Sequence, residues 1–287
     1  MVAGARGPFA TLVVGGAMPT FFEPILVAFD GSTPSRAASR FARLLAEEHE
    51  TRTILLHARE QPDDGDGEAG RMLEEEAQRF GTPVDTRIVV GPACEAVAAQ
   101  ADALGVGLVA VGTRGTSTPG DSVIGSVARA VLDRVRRPTL VAHAAFPAVR
   151  QIVVGVAEGH RAQAIVLAGR AAADATGARL VLAHVLTAPP DLAHEPQDYG
   201  FPGEAWSDAL EAVADRVFGP HRAVAGTGAH ERVLFGSTPE QLRALALGMG
   251  AELVVVGRSA RAPHGVESLL GAAATLAMRG PFATLIV

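Results

Sequence analysis

The sequence predicts an α/β protein built from two tandem, five-stranded parallel-sheet domains packed against one another as a pseudo-dimer. Three observations carry that expectation. Short apolar runs rich in Val and Leu alternate with helix-period stretches at intervals of about 30 residues, as parallel strands joined by crossover helices require. The whole series of runs then occurs a second time. A length of 287 residues suits two domains of ordinary size.

The first series begins with a buried strand at Ile25–Phe29, followed by the turn Asp30-Gly31-Ser32-Thr33-Pro34 into a helix. Ser32 or Thr33 can cap that helix, Pro34 suits its first turn, and Ala37, Ala38, Phe41, Leu44 and Leu45 form its apolar stripe. A second strand covers Thr53–Ala58, and the acidic, glycine-containing stretch Pro62–Gly70 is expected to be a mobile loop. Glu74, Glu75 and Glu76 follow on a helix, where three adjacent carboxylates are expected to form its solvated face. Thr86–Val90 is a third strand. Gly91-Pro92 turns into a helix that runs to Leu104.

The fourth strand starts at Leu108 and stops at Gly112. A loop containing Gly112, Gly115, Gly120 and Gly125 comes next, and helical spacing resumes at Val127, Ala130, Val131 and Val135. Thr139–His143 completes the domain with a fifth strand. A strand, a glycine-rich loop and a helix start in that order make a candidate anion site, because glycines let backbone N–H groups converge and the first helical turn adds unpaired donors. Gly112 and Gly115 stand two residues apart, and nine residues precede Gly125-Ser126. No Lys-Ser/Thr pair follows, so this is no Walker A loop. Gly105-x-Gly107-x-x-Ala110 mimics a dinucleotide fingerprint but leads into a strand, whereas that motif must open a helix.

The second series starts at Gln151–Val156 and continues through a helix at Gln163–Ala173 and a strand at Arg179–Val185. Arg232–Pro239, Leu253–Gly257 and Phe282–Val287 match the third, fourth and fifth strands in turn. The boundaries expected are an N-terminal extension at 1–20, a first domain at 21–147 and a second at 148–287, with a linker at Pro147–Arg150 too short for independent tumbling. At the candidate site the copies diverge. Ala157 stands where Asp30 does, Ala260 replaces Gly115, and Gly271-Ala272 replaces Gly125-Ser126 with one extra residue in the loop. One working site, in the first half, is expected.

Composition narrows the function classes. The hydrophobic share of 48% with 20% charged residues describes a soluble globular protein, and a formal charge of −6 argues against nucleic acid as a partner. Cys94 alone excludes an internal disulfide framework and fits a reducing cytoplasm. The apolar run after Arg6 is too short, and too broken by glycine and proline, for a leader or a span, so no membrane partner is expected. His57 and His184, at equivalent strand ends, lack a second ligand at metal spacing and are expected to be packed core-edge residues; Cys94 is expected to be a small hydrophobe.

Together VAFDGSTPS (27–35), ILLHA (54–58), RIVVGPA (87–93) and Gly112-x2-Gly115-x9-Gly125-Ser126 resemble the universal stress protein family, specifically tandem members whose first domain belongs to the ATP-binding branch. The resemblance spans residues 23–287. It implies a Rossmann-like fold of the adenine-nucleotide α-hydrolase type, with ATP held where the first and fourth strands diverge. Carried over, Asp30 with the backbone of Ala28 and Phe29 would hold the adenosine end, and the backbone of Ala58, just after the second strand, would read the adenine edge. Gly112, Thr113, Arg114, Gly115, Gly125, Ser126 and Val127 would hold ribose and phosphates, Arg114 through a guanidinium that can fork onto phosphate oxygens. Mg²⁺ or Mn²⁺ would arrive on the phosphates. Family domains pair through their fifth strands, which implies a homodimer or the intramolecular pseudo-dimer.

The function so implied is stress-response regulation through a bound nucleotide, read by a protein partner that the sequence does not name, with hydrolysis slow or absent. An adenylating or nucleotidyl-transfer enzyme of the same architecture is an alternative, with an acceptor pocket lined by Asp191–Trp206; so is an interaction module with an empty loop. One feature falls outside the repeat. Arg6–Val14 and Arg279–Val287 differ only at Val13 against Ile286, so the N-terminal segment is either an extra fifth-type strand for a sheet edge or an unstructured leader.

Overall fold

The computed structural model describes residues 22–59, 67–114, 124–144, 146, 148–159, 161–186, 203–258 and 271–287. The N-terminal copy of the RGPFATL segment and most of the loop after Arg114 lie outside the described residues.

The first half contributes β1 (Ile25–Ala28), β2 (Thr53–Arg59), β3 (Val84–Val90), β4 (Leu108–Gly112) and β5 (Thr139–Ala142), with helices α1 (Thr33–Glu48), α2 (Gly67–Ala77), α3 (Ala93–Ala103) and α4 (Ser126–Arg134). The second contributes β6 (Gln151–Gly155), β7 (Arg179–Leu186), β8 (His230–Phe235), β9 (Leu253–Val256) and β10 (Ala283–Ile286). Its helices are α5 (Ala162–Thr176), α6 (Gly203–Phe218), the single turn α7 (Arg222–Ala225), α8 (Thr238–Met249) and α9 (Ala272–Arg279).

The ten strands described join in one sheet of order β3-β2-β1-β4-β5-β10-β9-β6-β7-β8. Within each half every pairing is parallel. Among the described residues the halves meet at the one antiparallel pair, with Thr284 opposite Val141, Leu285 opposite Leu140 and Ile286 opposite Thr139. The expected two sheets are therefore one continuous sheet whose strand order reads the same from either end. The central strands carry almost uninterrupted Val, Leu and Ile because both faces are covered. Phe41, Leu45, Leu73, Ile165, Val166 and Val217 cover one face, and Val97, Val131, Leu242, Ala246, Leu276 and Ala277 cover the other.

The halves also touch away from the sheet. His49, the C-cap residue just past α1, donates from Nε2 to the Ala171 carbonyl of α5 at 3.2 Å. Arg258, just past β9, donates to the Leu132 carbonyl at 2.9 Å and to the Arg137 carbonyl and Thr139 hydroxyl at 3.3 and 3.4 Å. A guanidinium of the second half thus caps the last turn of α4, where free carbonyls favour a cation. In the reverse direction His143 Nε2 donates to the Ala277 carbonyl of α9 at 2.7 Å.

Three expectations need correction. The stretch 62–70 is not all loop, since α2 begins at Gly67. Ala58 lies inside β2, which runs to Arg59, rather than after it. Glu76 is not on a solvated face. It is 4% exposed, and its Oε1 accepts a 2.6 Å bond from the Ser39 hydroxyl of α1. Its Oε2 makes no hydrogen bond but sits 3.6 Å from Arg36 and 3.5 Å from Arg79, so those contacts are Coulombic. Helical phase turns the third glutamate of the run inward, and two arginines with a hydroxyl make its burial tolerable.

Candidate functional site in the first half

The site forms at the carboxyl end of the sheet, where β1 leads toward β2 on one side and its neighbour β4 leads to β5 on the other. Open α/β sheets form their ligand crevices at such a switch point.

β1 ends at Ala28, and the Phe29 N–H extends the ladder by one bond to the Leu56 carbonyl at 2.8 Å. Asp30 follows as a half-buried turn residue whose Oδ1 accepts from the Ser32 N–H at 3.0 Å. Ser32 then caps α1, its hydroxyl accepting from the Ser35 N–H at 3.3 Å. On β2 the Leu56 carbonyl points toward β1 while the Arg59 carbonyl, bonded by the Gly91 N–H, points toward β3. Alternation along the strand therefore directs the Ala58 N–H and C=O toward the β1 side, past the point where β1 has ended. His57 is fixed beside it, Nδ1 donating to the Phe29 carbonyl at 2.9 Å.

β4 delivers Gly112 and Thr113. A Cβ on Gly112 would lie 2.6 Å from the Ser35 nitrogen and 2.7 Å from the Pro34 carbonyl carbon, so the strand end presses directly on the α1 backbone. Thr113 is buried, and its N–H bonds the Ala142 carbonyl at 2.8 Å. The loop leaves at Arg114, whose carbonyl accepts from the Ser32 hydroxyl at 3.2 Å, and returns at Gly125, whose N–H bonds the Thr113 carbonyl. Gly125 occupies the N-cap of α4 with φ −77° and ψ 164° and offers no side chain to it. Among the described residues no side chain caps the first turn of α4, so its N–H groups at Ser126 and Val127 are candidate anion donors.

Ten of the eleven residues named from sequence thus converge from the ends of β1, β2 and β4 and the start of α4. The eleventh, Gly115, lies outside the described residues, as do Ala260 and residues 191–202 of the proposed acceptor segment. Among the described residues no group of three His, Cys, Asp or Glu side chains could hold a metal ion. No helix among them is long and apolar enough to cross a membrane.

The family model of universal stress proteins matches this chain twice, at residues 21–143 and 148–275. The chain belongs to the universal stress protein family. A Thermus aquaticus universal stress protein, from the 3′ region of a QAH/OAS sulfhydrylase, is 28% identical over 134 residues, which cover 42% of this chain and 98% of that one. Two solved structures share the complete tandem fold. A Pseudomonas aeruginosa UCBPP-PA14 universal stress protein superimposes with a TM-score of 0.69 at 18% identity over 93% of each chain. One from Archaeoglobus fulgidus DSM 4304 gives 0.58 at 16% identity, over 93% of this chain and 96% of that one.

In this universal stress protein the sequence left two features of the site region unmarked. The Ser32–Arg114 tether joins positions 82 apart. The second is His143, one residue past β5, whose titration couples the site region to stability. Burial pushes its pKa below the ordinary 6.5; the bond to Ala277 opposes that shift, and the nearby Arg114 charge adds to it. The fold therefore favours the neutral ring, while the unfolded chain takes up a proton near pH 6.5. Stability is full above that pH and falls as pH drops below it. His221, lowered by burial, acts in the same direction. Urea midpoints are expected to fall between pH 7.5 and 5.5, and His143→Gln is expected to flatten part of that slope. An unchanged slope in the variant would remove His143 from the account.

Proposed function

We propose that the first half binds ATP in this crevice and that the protein acts as a nucleotide-dependent regulator in a stress response, the bound state being read by a protein partner or by assembly. The observation that supports this reading is the double closure at Ser32–Arg114 and Gly125–Thr113. It sets the uncapped start of α4 beside Asp30 and the open backbone of Ala58. The donors suit phosphates, a carboxylate suits ribose hydroxyls, and a paired strand-edge N–H and C=O suit the edge of a base. Arg114 would add a charge-assisted contact to the phosphates. A Mg²⁺ or Mn²⁺ ion would travel on the phosphates and neutralise part of their charge.

Turnover is expected to stay below about one per second, the low end of ordinary enzymes. The role tested first is binding. Calorimetric titration of the purified chain with Mg-ATP is expected to give one nucleotide per chain. No heat at millimolar ATP would sink the proposal.

A further inference from the structure

We propose that the cleft of the second half is a separate site for a small organic anion with an apolar body, its charged head held at Arg161 and the start of α9. This proposal does not rest on nucleotide binding in the first half. A cavity of about 590 Å³ opens at the carboxyl ends of β6, β7 and β9. That volume lies within the range of small-molecule pockets. Val156, Val185, Ile165, Leu242 and Val256 supply its apolar walls.

The internal repeat shows how the second cleft differs chemically from the first. His184 donates to the Val156 carbonyl at 2.8 Å as His57 does to Phe29 at 2.9 Å, which aligns Ala157 with Asp30 and Arg161 with Pro34. Arg258 N–H bonds the Val287 carbonyl as Thr113 N–H bonds Ala142, which aligns Arg258 with Thr113. The second cleft has therefore lost a carboxylate and gained two guanidiniums, while Arg114 gives way to Ser259. The acid it gained, Glu158 opposite Gly31, is engaged by Arg216 at 2.9 Å.

The two arginines play different parts. Arg258 spends its donors on two carbonyls and a hydroxyl, so no carboxylate among the described residues neutralises it. Burial lowers its pKa, and the charges of Arg136 and Arg161 push in the same direction, so the field at this corner is positive. Arg161, exposed at the N-cap of α5 and lining the cavity, makes no side-chain hydrogen bond or ion pair among the described residues. Gly271 gives α9 no side-chain cap, and Ala272 of its first turn lines the cavity as well. A cation is repelled by this corner. A nucleoside lacks the acid that would hold its ribose. An anionic head on an apolar body satisfies both the corner and the walls.

The test uses the full chain and 1-anilinonaphthalene-8-sulfonate, a sulfonate on an aromatic body whose fluorescence reports burial. Octanoate and octylamine serve as competitors of similar body and opposite charge, and Mg-ATP as the nucleotide competitor. Saturable binding displaced by octanoate and not by octylamine is expected, weakened tenfold or more by Arg161→Glu and largely kept by Arg161→Lys. Equal affinity in Arg161→Glu, or equal competition by octylamine, would overturn the proposal. Displacement by Mg-ATP would also overturn it, making the cleft a nucleotide site.

Discussion

Asp30→Ala is expected to weaken Mg-ATP binding by roughly tenfold to hundredfold. A hydrogen bond to a charged group contributes about 1.5–3 kcal/mol, and each 1.4 kcal/mol is a factor of ten. The turn after β1 carries no second carboxylate to replace it. The same side chain accepts from the Ser32 N–H, so part of any loss could come from a relaxed turn rather than a missing ligand contact. Asp30→Asn separates the two effects. Its amide oxygen can keep the turn while the charge is gone, so it should melt like the wild type and still bind less tightly. Equal affinity in wild type, Asp30→Ala and Asp30→Asn would take Asp30 out of the site.

Gly112→Ala is expected to be the more damaging of the two glycine substitutions at matching positions. Its Cβ would meet backbone atoms of Ser35 and Pro34 at 2.6 and 2.7 Å, which yield only if β4 and α1 move apart. Overpacking of that kind costs about 1–3 kcal/mol. At Gly257, the counterpart in the second half, the added Cβ would meet the terminal Cδ1 of Ile165 at 2.6 Å, and a side-chain end can rotate away. Denaturant midpoints should therefore fall clearly for Gly112→Ala and by less for Gly257→Ala. Because Pro34 and Ser35 carry the start of α1, nucleotide affinity should fall with stability in the first variant. Equal losses in the two would contradict the packing described here.

The architecture was legible because parallel strands buried on both faces read as unbroken apolar runs, and two copies of each run leave little room for another arrangement. The crevice of the first half was legible as a candidate for a similar reason, since glycine spacing after β4 and the turn after β1 are local in sequence. What escaped depends on distance. Glu76 sits in a run of three identical residues, and only its helical phase against Ser39 and Arg36 turns it inward. The antiparallel join of β5 with β10 links residues 139–141 to residues 284–286; no local pattern announces it, and only the family resemblance implied that the fifth strands pair. The second cleft was read from its losses, Ala157 and Ala272. Arg161 and Arg258 were invisible as gains until the structure aligned them with Pro34 and Thr113.

Photolabelling with 8-azido-ATP, followed by peptide mapping, addresses the central proposal most directly, because it reports location as well as binding. The account predicts label that saturates at one per chain, is blocked by excess Mg-ATP, and falls on peptides from 25–59 or 108–134. Label concentrated on 151–186 or 253–258 would place the nucleotide in the second half and contradict it.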